Sequence, residues 1–153
     1  MRKFSRTWML AAAAGMLLAA AGPSAATEES RELVDLPPMM RDHMLTNMRD
    51  HLAALDEILG ELADGNTEAA AAIAEKRLGM SSMGLHGAAH LAKFMPPAMA
   101  QIGTQMHQAA SRFVIAAQDA ELEPGREAQR KVYRALQQVT ENCNACHQGY
   151  RIR

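Results

Sequence analysis

The chain has 153 residues, with 16 basic and 17 acidic side chains and a formal net charge of −1. That length supports one domain with a real core but not comfortably two. No basic stripe carries interleaved aromatics, which argues against a nucleic-acid-binding surface.

Residues 1–26 differ from the rest. Arg2, Lys3 and Arg6 form a positive start, Trp8 to Ala21 is apolar and Ala-rich, and Ser24-Ala25-Ala26 places small residues at a cleavage position. This pattern predicts a secretory signal peptide cut after Ala26 and a mature chain of residues 27–153. The apolar run falls short of the roughly 20 residues that a spanning helix needs. Removing the leader leaves thirteen basic against 17 acidic residues, a net charge of −4. No later segment is apolar for long enough to cross a bilayer.

Thr27 to Leu36 is polar and expected to be loose. Pro37-Pro38 then opens a helix whose apolar residues Met40, Met44, Met48, Leu52, Leu55, Leu59 and Leu62 recur at helical spacing. Asp64-Gly65-Asn66 ends it, and Asn66 or Thr67 can cap the next helix, which starts in the alanine run Ala69–Ala74. A break is expected near Gly79-Met80-Ser81-Ser82. A third helix follows Pro96-Pro97 and ends near Glu121, with Met99, Ile102, Met106, Ala109, Phe113 and Ala116 on one face. A fourth runs from about Arg126 to Gly149. No segment has a strand pattern, so the expected fold is all-α, an antiparallel four-helix bundle. Aromatics are few, and residues 27–153 contain nine methionines. Methionine fills irregular gaps and lies well against flat aromatic surfaces.

Both cysteines lie in Cys143-Asn144-Ala145-Cys146-His147. Cys-x-x-Cys-His is the attachment sequence of c-type haem. Two thiols on neighbouring helical turns can add to the two vinyl groups, and the following histidine can reach the iron. A thioredoxin-type dithiol would want a βαβ setting, which is missing. A plain disulfide would leave His147 without a purpose. A zinc site would need two more ligands, which His86 and His90, four residues apart, could supply.

A C-terminal Cys143-x-x-Cys146-His147 followed by Tyr150-Arg151, on the last helix of an all-α chain, resembles the class II cytochromes c. That family comprises cytochrome c-prime and its low-spin, methionine-ligated relatives. The resemblance covers the mature chain in layout and is specific over Asn142 to Arg151. It implies a four-helix-bundle haem domain over residues 27–153. It also implies one covalent haem c on Cys143 and Cys146, iron held by His147, and possible pairing into a homodimer through the first two helices. The stretch Gly79 to His90 is richer in Gly, Met and His than the family pattern.

The other face of the iron decides function. In one branch an apolar side chain of the first helix blocks that face, leaving a five-coordinate haem that binds small gases such as NO and CO. In the other a methionine of the first helix is the second ligand, which raises the potential and suits electron transfer. Met48 and Met44 are the candidates here, with His90 or His107 as further possibilities. His43 and His51 are expected on the wet side of the first helix or near a haem edge, and His107 half-exposed. Arg41 and Arg112 could pair with haem propionates. The expected function is a periplasmic electron carrier with His/Met-ligated haem, working with redox partner proteins and without enzymatic activity. The alternatives are a gas-binding haem protein and a metal-handling protein that uses His86 and His90.

Overall fold

A computed structural model describes residues 29–153; the leader at 1–26 lies outside the described residues. Helix makes up 78% of the structure, which puts it in the all-α class. The elements in chain order are β1 (Glu32–Val34), α1 (Pro38–Ala63), α2 (Thr67–Arg77), a 3-10 turn at Met80–Met83, α3 (Ala88–Leu91), a second 3-10 turn at Ala92–Phe94, α4 (Pro97–Leu122), α5 (Arg126–Gly149) and β2 (Tyr150–Ile152). No helix among the described residues is long and apolar enough to cross a membrane.

The helix boundaries follow local chemistry. Both α1 and α4 begin with a proline at the first helical turn, where its missing N–H costs nothing. The end of α1 is a Schellman closure: Gly65 N–H donates to Leu62 O, Asn66 N–H donates to Glu61 O, and Gly65 takes φ +81°. Asn66 does occupy the cap position of α2, but its side chain caps nothing and donates to Glu61 instead. The short helix α2 is built on alanine, the best helix former. Its buried Ala70, Ala71 and Ala74 let it lie close to α1 and α4.

The larger core fills one end of this assembly. Ala54, Ile58 and Leu62 of α1 meet Ala70 and Ala74 of α2, Ala109, Ala110 and Phe113 of α4, and Val132, Leu136 and Val139 of α5. Arg77 ties α2 to α1 by ion pairs to Asp50 at 2.6 Å and Glu57 at 2.7 Å, and by a hydrogen bond to Asp50 O. The Asp50 carboxyl is held below its usual range by the Arg77 hydrogen bond.

Two sequence expectations change here. The segment before Pro37 is not loose: Glu32–Val34 pairs in parallel with Tyr150–Ile152, with Leu33 opposite Arg151. Three-residue strands are too short to show an alternating pattern, and their partners lie at opposite ends of the described chain. The break after α2 is also longer than expected. From Gly79 to Met95 the chain runs through short helical turns, with Gly87 in the left-handed region at φ +59°.

Phe113 is fully buried at the centre of the larger core. Phe113→Ala is expected to cost about 3–5 kcal/mol of unfolding free energy, measured by urea denaturation.

Candidate functional site

A smaller apolar cluster lies at the opposite end from Phe113. Val34, Leu36, Met40, Met44, Leu91 and Met99 are buried in it, and Met48, Met95, Cys146, Tyr150 and Ile152 pack against it. Methionines and small residues leave the helices apart there. The result is a cavity of about 680 Å³, within the range of cofactor sites. Its wall is drawn from the first half of α1, the Met83–Met95 segment, the first half of α4, the end of α5 and β2.

Most sequence candidates reach this cavity. Cys146 and His147 lie on its wall, as do Met44 and Met48. Met44 is buried, Met48 half-buried and His147 exposed. Cys143 does not line the cavity; it sits one turn earlier on α5, half-buried against the larger core. Both thiols are free, and burial pushes both upward from the ordinary thiol range. They are therefore protonated at neutral pH rather than poised as thiolates.

The charged edge differs from expectation. Arg41 pairs with its neighbour Asp42, Arg112 is exposed, and neither lines the cavity. Arg31 and Arg151 do. The Arg151 Nε is buried with no hydrogen-bond partner, the one such side-chain atom among the described residues. A buried guanidinium donor without an acceptor is costly, so an anionic group arriving at this wall would be favoured. A large flat apolar body with a carboxylate edge fits these features; haem is such a body. Of the residues that would hold it, Cys146, His147 and Arg151 face the cavity, whereas Cys143 lies one turn away against the larger core.

The histidines are arranged unlike the sequence expectation. Of the two places expected for His51, the wet side of α1 is not taken; the ring lines the cavity and points to His86 and His107. His107 is buried rather than half-exposed, and His90 is exposed beside Phe94. His86 and His90 therefore do not act together; the left-handed turn at Gly87 between them breaks the assumed helix. His51, His86 and His107 could hold a metal ion, since each offers a nitrogen and these lie within 4.8 Å of one another. Burial is the largest cause lowering all three rings below the ordinary imidazole range, and His51 falls to about 4. Neutral imidazole is the form that ligates metals.

The loop bearing His86 is anchored by α1. Both His43 Nε2 and Asn47 Nδ2 donate to His86 O, at 2.8 and 2.9 Å. Helical spacing alone placed His43 on a face; only the loop folding back onto α1 gave it a partner. The inward aim of His51 had a weak signal, since it falls seven residues after Met44 on the same stripe.

No family model matches the chain, and no curated protein or solved structure is significantly similar to it.

A Cβ at Gly87 would sit 3.2 Å from His43 Nε2, in a backbone conformation that L side chains rarely adopt. Gly87→Ala is expected to cost about 1–2 kcal/mol from the left-handed backbone alone. The same urea denaturation would read it, while Gly84→Ala, where nothing lies within 4 Å of the added carbon, should change stability less.

Proposed function

We propose that this protein is an exported mono-haem c-type cytochrome of the class II kind, an electron carrier rather than an enzyme, folded as an antiparallel four-helix bundle. One observation carries the reading. The single Cys-x-x-Cys-His sequence of the chain opens, through Cys146 and His147, on an apolar cavity whose wall also holds Met44, Met48 and an unpartnered buried Arg151 donor.

Each of these residues has a part in the reading. Cys143 and Cys146 form the thioether links and His147 is the proximal ligand. Met48 is the first candidate for the opposite ligand and Met44 the second, one helical turn away. Arg151 receives a propionate; Arg31, on the same wall, is already paired with Glu29. Bound haem c supplies a one-electron iron couple. The chain sets its potential through the axial side chains, apolar burial and the guanidinium at the edge. Export through residues 1–26 would bring the thiols to the periplasm, where the partners are other redox proteins.

The test is the ferrous absorption spectrum of the purified holoprotein and its variants. A low-spin spectrum is expected, turning high-spin in Met48→Ala and staying low-spin in Met44→Ala. The reverse pattern would make Met44 the ligand. A high-spin parent that binds carbon monoxide rapidly would replace the electron-carrier reading with gas binding at an open iron face. Cys143→Ala and Cys146→Ala should each leave one thioether. Absence of covalent haem in the parent, shown by haem staining after denaturing electrophoresis, would end the cytochrome reading altogether.

A further inference from the structure

The haem reading makes no use of the three histidines that converge at the inner side of the same cavity. They come from places far apart in the chain: His51 from α1, His86 from the turn before Gly87, and His107 from α4. Their rings are not stacked. His51 meets His86 at 61° and His107 at 86°, with ring centroids 4.7 and 5.7 Å apart. One nitrogen from each ring lies within 4.8 Å of the others.

We propose that His51, His86 and His107 form a second metal site, distinct from the haem iron, which binds one divalent first-row ion such as Zn(II) or Cu(II) and leaves a fourth position open to the cavity.

The detailed geometry supports an ion over a plain hydrogen-bonded trio. His51 Nε2 and His86 Nδ1 are 3.3 Å apart. That is long for a hydrogen bond between two nitrogens. It is close to the edge of a tetrahedron whose metal–nitrogen bonds are about 2.0–2.1 Å. His107 is prepared in a different way. Its Nδ1 lies 2.8 Å from Leu78 O, so Nδ1 carries the proton and donates it to the carbonyl. The lone pair is then on Nε2. A ligating histidine whose other nitrogen donates to a backbone carbonyl is the usual supporting arrangement of a metal site. The buried Ser82 hydroxyl sits between two of the rings, 3.5 Å from His86 Nδ1 and 3.4 Å from His107 Nδ1, while donating to Gly79 O at 2.7 Å. His86 itself is held in place through its carbonyl by His43 and Asn47.

Three converging nitrogens suit an ion with adjacent coordination positions. A haem accepts one axial imidazole on a face, which would leave the other two rings without a role. The ligand nitrogens lie within 4.8 Å of one another, a bound wider than the tetrahedral edge, so binding draws them inward. Imidazole donors suit zinc, copper and nickel, and copper binds most strongly in the divalent series. The site does not depend on haem being present, so the two readings fail separately.

The experiment is a ZnCl₂ titration of the purified chain as isolated, with or without bound haem, after chelator treatment, followed by calorimetry and by thermal unfolding. One zinc per chain is expected, over and above any haem iron, with a rise in melting temperature. His51→Gln should weaken binding by about 100-fold or more, beyond the 10–100-fold seen when a supporting partner is lost. His90→Gln, at an exposed ring outside the trio, should leave zinc binding unchanged. His107→Gln should behave as His51→Gln. Because His107 lies in the core, the half-buried His51 variant, checked for folding by circular dichroism, gives the deciding result. With CuSO₄ as the probe, electron paramagnetic resonance should show coupling to imidazole nitrogens that His51→Gln reduces. Absence of saturable zinc binding, or binding undiminished in a folded His51→Gln, would overturn the proposal. A change of haem axial ligation in His51→Gln would also overturn it, by assigning that ring to the haem iron.

Discussion

The parallel pairing of Glu32–Val34 with Tyr150–Ile152 is the constraint on which the cavity end of the molecule depends. It joins the lead-in of α1 to the tail of α5, two segments separated by nearly all the described chain. Three hydrogen-bonded residues would be a weak sheet in isolation. Here Val34 and Ile152 also pack with Met40, Met44 and Tyr150, so backbone pairing and apolar burial support each other. The same pairing brings Arg31 and Arg151 to one wall. Without it, the residue after the last helix would have no fixed place relative to the first.

The two ends of the helical assembly are built for different purposes. Around Phe113 the contacts come from alanine, isoleucine, leucine and valine, and helices approach closely. Toward the other end the lining shifts to methionine and histidine with small alanines between them, and the helices leave about 680 Å³ between them. Flexible thioethers pack adequately around a space of this kind and can follow a flat guest. Buried polar groups are concentrated there too. The trio of imidazoles, Ser82, Asn47 and the unpartnered Arg151 Nε all lie at or beside the cavity. Natural cores tolerate such groups where function requires them. An anionic group at the cavity edge would satisfy the one buried side-chain atom, Arg151 Nε, that protein partners leave incomplete among the described residues.

The Gly79–Met95 segment is what turns a simple helical assembly into one with a lined site. Its carbonyl at His86 is gripped by two donors of α1, and Leu78 O is taken by His107 of α4. These bonds replace the helix ladder that the glycines interrupt. They also fix the side chains of His86 and His107 relative to α1. Loops that carry function are commonly held in this way by a rigid scaffold.

The sequence by itself determined the helices and set out the Cys-x-x-Cys-His spacing on which the proposed function rests. Prolines at Pro37-Pro38 and Pro96-Pro97, the Gly65 turn and Pro124-Gly125 are local signals, and local signals are readable without tertiary knowledge. They located α1, α4 and α5 within a few residues, and the Cys143-x-x-Cys146-His147 spacing is legible without the fold. The strand pair, the inward turn of His51, the burial of His107 and the replacement of Arg41 and Arg112 by Arg31 and Arg151 were decided only by the tertiary structure. Each depends on a contact between residues distant in the chain. Helical periodicity says which residues share a face, but not which face another element will cover. His86 and His90 make the point most directly: a spacing of four suggested one pair of ligands, and a single left-handed residue, Gly87, sent the two rings to different surroundings.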